Sequence, residues 1–586
     1  MCGIAGVLGG TQSAGPLIAA LAHRGPNGIH IEDGPGWSVG HARLSIIDLE
    51  GGWQPLHAAG STVIGNGEIY NYLELTRDHR LHPATGSDFE PLLHLYAQEG
   101  EAAFARLRGM YAFCLMGRDG AAWLARDPFG IKPLYLQGDA FASEPRALAR
   151  GPLQVDKAQQ LLALNYTLGE ETIFGGVTRL APGEVLALPA YPREPQAGAQ
   201  APTGDPDRRA QVVRSGFRPS TPPVWIPASA GMSGVGSEAD ALARLDAVLE
   251  DSVRVHQRAD VPYGLFLSGG VDSAAIATLM ARINEKPVVA FTCGFDAPGA
   301  ADERASAERV ARSLNLDWRE TLFTEDDFWA IAPQVAWALD DPTTDYATLP
   351  TYKLAQAAKG TLTVVLSGEG GDELFGGYGR YRRALRPAWL GGRPAEPQID
   401  APFLKDRGAG ALAAWRAASR APAGLTRLQQ AQYADIVTWL PNDLLLKLDR
   451  CLMANGLEGR TPFLDREVAA FAFNLPDRLK VRGRYGKWIL RKWLERACPA
   501  AQPWAKKQGF TVPVAHWIAP RAADLGPRIA ALEAVRASCD PDAVRAVFAD
   551  GGHEKSRWPL LFFGLWSLIH LAGAEPQAAL ETLLGD

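Results

Sequence analysis

The sequence predicts a multidomain α/β protein, and three observations support this fold class. The chain has 586 residues, which exceeds what one hydrophobic core organises, so about two to four domains are expected. Residues 1–188 alternate short β-type runs with turns, whereas apolar runs alternate with amphipathic stretches from Ser237 onward. We therefore expect layered antiparallel sheets in the first part and a helix-covered parallel sheet in the second.

The elements of the first part are short and bounded by turn residues. Residues 61–64 precede the turn signal Gly65-Asn66-Gly67, and residues 110–115 and 122–125 form two further runs rich in apolar side chains. Runs of this length with intervening turns are typical of antiparallel sheets. A few helices are expected between them.

The second part has the βαβ rhythm of a parallel sheet. Amphipathic stretches at 241–255 and 303–314 predict helices, and buried apolar runs at 263–267, 288–291 and 362–366 predict strands. From about Arg427 the pattern is mostly helical.

The segment 189–236 separates the two parts and differs from both in composition. It is rich in Pro, Gly, Ala, Ser and Arg and has neither a helix period nor a strand period. A solvated linker or an insertion is the simpler interpretation. A partner-binding polyproline II segment is the alternative, and no residue in the segment singles it out.

Bulk composition excludes several classes of function. A net charge of −6 argues against a nucleic-acid or membrane-surface role, because both normally need a basic balance. The most apolar segment, 560–572, is shorter than the ~20 residues that span a bilayer, and no signal peptide is visible. Six cysteines without CxxC spacing fit a reducing compartment. We expect a soluble, cytoplasmic protein.

Cys2 is the first candidate for catalysis. Removal of Met1 is expected because a small residue follows it, and it would leave a thiol and a free α-amine on Cys2. An α-amine titrates near ~8 and a thiol near ~8.5, so a single residue could supply both the nucleophile and its base.

Further motifs also indicate nucleophilic catalysis by Cys2. Five of them occur in order within the first ninety residues: Cys2-Gly3-Ile4-Ala5-Gly6, His23-Arg24-Gly25-Pro26, Arg43-Leu44-Ser45-Ile46-Ile47-Asp48, Asn66-Gly67-Glu68-Ile69-Tyr70-Asn71 and Thr85-Gly86-Ser87-Asp88. Together they resemble the class II glutamine amidotransferase domain. The resemblance implies an N-terminal-nucleophile hydrolase fold, an αββα sandwich, over residues 2–188.

The resemblance also implies a role for each residue of this glutaminase site. Cys2 would attack the glutamine amide, and the Asn66 side chain with the Gly67 N–H would form the oxyanion hole. Arg43 would bind the glutamine carboxylate through its planar guanidinium, while Asp88 would pair with the ammonium, assisted by Glu68. The products would be glutamate and ammonia.

The second part carries a phosphate-binding pattern. Ser268-Gly269-Gly270-Val271-Asp272-Ser273 follows a predicted strand and precedes a predicted helix. It resembles the PP-loop of ATP pyrophosphatases rather than a Walker A motif. Backbone N–H groups with the Ser268 and Ser273 hydroxyls would hold the leaving pyrophosphate, and Asp272 would bind Mg²⁺.

A glycine-rich, acidic loop at residues 367–377 follows another buried run. An acidic loop facing a phosphate loop needs a cation between them, and Asp272 and Asp372 as shared Mg²⁺ ligands meet that need. Glu369 would then be free to orient or deprotonate attacking ammonia. The full predicted ATP-binding set is Leu265, Phe266, Leu267, Ser268, Gly269, Gly270, Asp272, Ser273, Cys293, Ser367, Gly368 and Glu369.

These loops, together with motifs at 440–450, 460–465 and 507–510, resemble glutamine-dependent asparagine synthetases of the bacterial B type. The resemblance implies a synthetase domain over 237–586, a doubly wound PP-loop sheet with a helical C-terminal part. It implies attack of the aspartate β-carboxylate on ATP, displacement of AMP by ammonia, charge neutralisation by Lys507, and a dry passage that delivers neutral ammonia.

Two other functions stay open at this stage. The same half-reactions could serve a different carboxylate acceptor, such as a peptide, a sugar acid or a secondary metabolite. A catalytically inactive binding protein would instead predict loss of Cys2, Asp272 or Asp372, and all three are present. Expected partners are glutamine, aspartate and ATP; no nucleic acid or membrane is expected, and a homodimer is compatible with the sequence.

Overall fold

The computed structural model describes residues 2–9, 12–118, 120–148, 151–188, 237–296, 303–506, 512–549 and 551–585. They form two compact units. The first contains the described residues up to 151 and residues 176–188, and the second contains 152–175 and the described residues from 237 onward. The segment 189–236 and Lys507 lie outside the described residues. The boundaries at 188 and 237 stay predictions.

The first unit contains two antiparallel sheets. One has the strand order β10-β8-β9-β1-β3-β2 and the other has β11-β7-β6-β5-β4. The strands are β1 (Gly3–Leu8), β2 (Ile29–Gly34), β3 (Trp37–Ala42), β4 (Leu56–Ala58), β5 (Ser61–Ile69), β6 (Gly109–Met116), β7 (Ala122–Arg126), β8 (Tyr135–Gln137), β9 (Ala140–Ala142), β10 (Thr178–Arg179) and β11 (Val185–Leu188).

The two sheets pack face to face and are covered by helices on their outer sides. Ile4 and Val39 of the first sheet share a core with Ile64 and Leu124 of the second. The helices are α1 (Gly15–Ala19), α2 (Tyr72–Asp78) and α3 (Glu90–Glu99). α1 packs on β3, and the buried face of α3 joins the second core of the β4–β7 sheet. The αββα sandwich predicted from the resemblance is confirmed.

The second unit is built on a parallel sheet with the order β14-β13-β12-β15-β16. Its strands are β12 (Tyr263–Phe266), β13 (Val289–Phe295), β14 (Asp317–Phe323), β15 (Val364–Leu366) and β16 (Glu458–Arg460). The chain leaves β12 towards β14 on one side and returns to β15 on the other. The crevice between the carboxyl ends of β12 and β15 is therefore the topological switch point, where open α/β sheets bind ligands.

Helices surround this sheet and continue to the last described residues. Those up to the end of β15 are α4 (Val155–Leu164), α5 (Glu238–His256), α6 (Val271–Ile283), α7 (Arg304–Ser313), α8 (Glu325–Ala338) and α9 (Thr348–Ala358). After β15 come α10 (Gly371–Phe375), α11 (Gly379–Ala384), α12 (Ala409–Ala418), α13 (Arg427–Val437), α14 (Leu445–Met453), α15 (Arg466–Asn474), α16 (Asp477–Lys480) and α17 (Trp488–Ala497). The remainder are α18 (Val514–Ile518), α19 (Ala522–Ala531), α20 (Glu533–Ser538), α21 (Pro541–Ala549), α22 (Arg557–His570) and α23 (Pro576–Leu584).

The doubly wound parallel sheet and the helical C-terminal part agree with the sequence prediction. The predicted helix at 241–255 corresponds to α5, which begins with a capping box between Ser237 and Asp240. Strand β16 is an addition, because its polar sequence Glu-Gly-Arg gives no strand signal although all three residues are buried. No helix in the described part of the chain is long and apolar enough to cross a bilayer.

Candidate active sites

The first site lies at the start of β1, where Cys2 precedes the strand. The Cys2 backbone N–H donates to Asn66 Oδ1 at 3.0 Å, and the half-buried thiol lies 3.8 Å from the Leu44 carbonyl oxygen. Arg24 Nε donates to the Cys2 carbonyl at 3.2 Å and its Nη1 to Glu144 Oε1 at 2.7 Å. The main chain of Cys2 is therefore held on both sides, and its half-buried thiol lies beside the Leu44 carbonyl.

Asn66 carries the clearest sign of a ligand. The side chain is fully buried on β5, and its Nδ2 has no hydrogen-bond partner among the residues that the structure describes. Because Oδ1 is occupied by Cys2, the amide is oriented with its N–H₂ open. A buried, unpaired donor is costly unless a ligand accepts from it. The arrangement suits an oxyanion beside the thiol.

Gly67 follows with a positive φ of 129°. A Cβ there would lie 2.0 Å from the Met110 carbonyl oxygen, so β6 approaches too closely for any other residue. Glu68 is buried on the same strand. The sequence-predicted residues 66–68 thus sit together at one end of β5.

Arg43 and Asp88 are joined through Asp48, which sequence reasoning quoted without a role. Arg43 Nη2 donates to the Asp48 carbonyl at 2.5 Å, and Gly86 N–H donates to Asp48 Oδ2 at 2.8 Å. Asp88 Oδ2 accepts from Ile69 N–H at 2.6 Å. The loop of Arg43, the loop of Asp88 and the end of β5 therefore meet.

The guanidinium of Arg43 is buried against an aromatic ring. It lies 4.9 Å from the centre of Trp53, and its Nη1 donates to the Leu49 carbonyl at 3.0 Å. Burial lowers the pKa of Arg43, and the nearby Cys2 thiol acts in the opposite direction. Asn27, in the turn after Pro26, accepts from Ser45 N–H at 3.0 Å and so supports the same loop.

The second site lies at the switch point of the parallel sheet. Ser268 follows β12, and its Oγ lies 3.0 Å from Ser273 Oγ in the first turn of α6. Gly270 N–H donates to Ser268 Oγ at 3.3 Å. Gly269 has φ of 70°, and a Cβ there would lie 2.8 Å from the backbone nitrogen of Ala307. The turn is therefore restricted to glycine and opens onto the amino end of a 13-residue helix.

The acidic loop after β15 closes against α6. A Cβ on Gly368 would lie 2.9 Å from Asp272 Cβ, and one on Gly371 would lie 2.5 Å from Asp272 Oδ1. Ser367, which begins this loop, donates its N–H to the Arg460 carbonyl at 2.8 Å. The glycines thus allow the two loops to touch, as their sequence pattern predicts.

The remaining predicted ATP-site residues lie on the strands. Leu265 and Phe266 belong to β12, and Leu267 continues it with an N–H bond of 2.9 Å to the Phe291 carbonyl. Cys293 lies buried towards the carboxyl end of β13, where burial raises its thiol pKa to about 12. The buried Cys293 thiol is therefore neutral.

Lys487 is the residue that sequence reasoning missed. Its Nζ contacts Asp372 Oδ1 at 2.6 Å and also pairs with Asp272. The side chain is buried, and although burial alone would lower the pKa of Lys487, the two carboxylates raise it above its usual value. Lys507, the predicted cation, lies outside the described residues. In the sequence, the preceding Gly486 is the one local feature beside Lys487, whose backbone adopts a φ of 54° in the structure.

Glu369 lies in the same loop and faces a second lysine. Lys447 Nζ on α14 lies 3.8 Å from Glu369 Oε1 and 3.1 Å from Asp345 Oδ2. Burial raises the pKa of Glu369, and Lys447 opposes that rise. Glu373, four residues on, accepts from the Tyr378 hydroxyl at 2.6 Å and has its pKa raised by burial to about 8.

Comparison with known proteins identifies two domain families in the chain. The glutamine amidotransferase domain family matches residues 1–196, and the asparagine synthase family matches residues 244–571. Asparagine synthetase [glutamine-hydrolyzing] 1 of Bacillus subtilis is 32% identical, covering 97% of each chain. A putative asparagine synthetase [glutamine-hydrolyzing] of Mycobacterium tuberculosis is 33% identical with the same coverage. Asparagine synthetase B of Escherichia coli is 29% identical over 86% of this chain and 79% of its own.

The fold and the two domain matches define a glutamine-dependent amidotransferase that couples a glutaminase unit to a synthetase unit. Within that class the chain belongs to the family of glutamine-hydrolysing asparagine synthetases.

Proposed function

We propose that this protein makes L-asparagine from L-aspartate, ATP and glutamine, with release of AMP, pyrophosphate and glutamate. The observation that carries the proposal is the convergence of the Ser268 loop and the acidic Glu369 loop at the switch point between β12 and β15. The names of the relatives support aspartate as the acceptor.

In the first unit, Cys2 attacks the glutamine amide. The thiol adds to the carbonyl carbon, and the open Asn66 Nδ2 with the Gly67 N–H stabilises the oxyanion that forms. Removal of Met1 would provide the α-amine as the base for the thiol. Collapse of this intermediate releases ammonia and leaves a thioester, which water converts to glutamate.

Arg43 and Asp88 recognise the two ends of the amino acid. The Arg43 guanidinium provides donors for the α-carboxylate, and the Asp88 carboxylate provides an acceptor for the ammonium. Their connection through Asp48 supports this assignment, because one residue fixes the spacing between both loops.

In the second unit, the β-carboxylate of aspartate attacks the α-phosphorus of ATP. A C–O–P bond forms and pyrophosphate leaves, held by the Ser268 and Ser273 hydroxyls and the N–H groups at the start of α6. Lys487, buried between Asp272 and Asp372, is the cation that neutralises the charge developing on the phosphates.

The residues here fit a magnesium ion. Asp272 and Asp372 both reach one ammonium nitrogen, so they lie close enough to share a cation, and Mg²⁺ is often held by one or two carboxylates with phosphate oxygens supplying the rest. When bound, the ion would neutralise charge on the phosphates. Asp272 and Asp372 are the residues that would hold it.

Offering different acceptors tests this function. The purified protein is incubated with ATP, Mg²⁺ and glutamine, and aspartate, glutamate, a sugar acid and a peptide carboxylate are added in turn. We expect AMP and an amide with aspartate alone. ATP consumption that is indifferent to aspartate would contradict the proposal and favour a different acceptor.

A further inference from the structure

Lys447 occupies an unusual position for a lysine. Its side chain is only 6% exposed, on the first turn of α14, and yet it points towards the loop that carries Glu369. Buried lysines are rare unless they are paired. Neither the sequence motifs nor the proposed reaction gives this residue a role.

Three elements bring carboxylates to this one ammonium. Asp345 precedes α9 and lies 3.1 Å from Nζ, Glu369 follows β15 and lies 3.8 Å from it, and Asp443 lies in the π-helical turn Leu440–Leu444 just before α14. Asp443 is held separately, since the Thr343 hydroxyl and the Trp439 indole both donate to it. Lys447 is thus anchored by Asp345 and presented to Glu369.

The charges around Glu369 act on its ionised form in opposite directions. Burial raises the pKa of Glu369, the charges of Asp345, Asp372 and Asp272 act in the same direction, and Lys447 opposes them. Lys447 lies 3.8 Å from the Glu369 carboxylate and favours its ionised form. A base that must accept a proton from ammonia needs that ionised form.

We propose that Lys447 is a positioning residue for amide formation, holding the Glu369 carboxylate ionised and fixed where ammonia attacks the acyl adenylate. The inference rests on the function proposed above. In this step the ammonia nitrogen bonds to the acyl carbon and the bond from that carbon to the AMP oxygen breaks. AMP leaves with the electron pair, and one ammonia proton passes to Glu369.

Separating the half-reactions tests this role. Aspartate-dependent exchange of radiolabelled pyrophosphate into ATP reports adenylation, and asparagine formed from ammonium chloride reports the complete reaction. For Lys447→Met we expect exchange within about threefold of wild type and ammonia-dependent synthesis reduced at least about thirtyfold. Lys447→Arg should restore most of the synthesis, because it keeps the charge.

Hydroxylamine provides the second readout. It is a stronger nucleophile than ammonia and relies less on a general base, so aspartyl hydroxamate formation should fall by less than about fivefold in Lys447→Met. Glu369→Gln should lose ammonia-dependent synthesis at least as strongly as Lys447→Met. The matched control is Lys157→Met on α4, whose nearly buried lysine pairs with Glu171 and should change neither ratio.

The role of Lys447 and the proposed function are contradicted by different results. Equal loss of exchange, hydroxamate and amide synthesis in Lys447→Met would overturn the inference, as would unchanged amide synthesis. If Lys447→Met does not fold, Lys447→Gln, which keeps a polar group for Asp345, serves in its place with the same expectations. Absence of aspartate-dependent exchange in the wild-type protein would instead overturn the proposed function.

Discussion

The two sites of this protein are assembled in different ways. The glutaminase site gathers residues from positions 2 to 88 at the ends of paired strands, where a buried donor on Asn66 already stands open. The synthetase site draws on positions 268 to 487, across two loops and the start of α17, and its carboxylates are neutralised by Lys487. The first site presents an open, buried donor, whereas the second presents carboxylates that an internal lysine balances.

The difference between an open donor and balanced carboxylates indicates which chemistry each unit can perform alone. A site with open donors can act on a neutral amide at once. A site whose negative groups are balanced by an internal lysine is suited to receive a polyanion with its cation. Variants in one unit should therefore leave the reaction of the other measurable, and the following predictions test that separation from the largest effect to the smallest.

Cys2→Ala gives the largest expected effect. Glutamine hydrolysis and glutamine-driven synthesis should fall at least about a thousandfold, because no other described residue supplies the nucleophile. Synthesis from ammonium chloride should stay within about threefold of wild type. Cys114→Ala, which alters a buried cysteine on β6, is the control. Loss of the ammonia-driven reaction in Cys2→Ala would show that the sites are not separable.

Asp372→Asn should have the opposite pattern. Synthesis from either nitrogen source should fall at least about a hundredfold, since one carboxylate of the proposed Mg²⁺ pair is lost, while glutamine hydrolysis measured as glutamate release continues. Asp317→Asn, at an exposed pair with Arg319 on β14, is the matched control. Full synthetic activity in Asp372→Asn would remove this residue from the ATP site.

Asn66→Ala should slow glutamine hydrolysis by about a hundredfold to a thousandfold in kcat, the usual cost of one oxyanion-hole donor. The KM for glutamine should change far less, because Asn66 acts on the transition state. Asn71→Ala, on the same motif but at the start of α2, where the side chain bonds the backbone of Arg106 and Arg108, serves as the control. A rise in KM without a fall in kcat would assign Asn66 to substrate binding instead.

His41 gives the smallest effect, on stability. It is fully buried on β3, both ring nitrogens lack a partner in the described residues, and burial lowers its pKa to about 3. A histidine with a depressed pKa stabilises the fold above pH 6.5 and loses that contribution as pH falls towards 3. Between pH 8 and pH 5, we expect His41 to lower the free energy of unfolding by about 2 kcal/mol.

Urea unfolding at several pH values checks this expectation. His41→Phe should remove about that much of the acid-induced loss in unfolding free energy, while His57→Phe, at an exposed position, should not. An identical pH dependence in wild type and His41→Phe would contradict the assignment of a neutral, buried ring.

Much of this architecture could be predicted from the sequence because the decisive residues lie inside short motifs. The β12–loop–α6 unit, for example, combines an apolar run, two glycines and a helix within residues 263–283. Asn66 and Gly67 likewise follow each other on one strand. In these motifs, residues that are close in the sequence are also close together in the fold.

The rest could not be predicted because it depends on tertiary charge balance. Lys487 lies 115 residues after Asp372 in sequence and is positioned by Gly486, where a Cβ would lie 2.3 Å from the Gly376 carbonyl. Lys447 shows no pattern that distinguishes it from a surface lysine. β16 was missed for a similar reason, since Glu458 and Arg460 pair with each other inside the sheet at 2.5 Å.

One isotope experiment tests directly whether amide formation passes through an acyl adenylate. Aspartate labelled with ¹⁸O in its β-carboxylate and glutamine labelled with ¹⁵N in its amide are incubated with ATP and Mg²⁺. We expect asparagine containing ¹⁵N together with AMP containing one ¹⁸O, because the carboxylate oxygen stays on the phosphorus when ammonia displaces AMP. AMP without ¹⁸O, or label recovered in inorganic phosphate, would contradict an acyl adenylate.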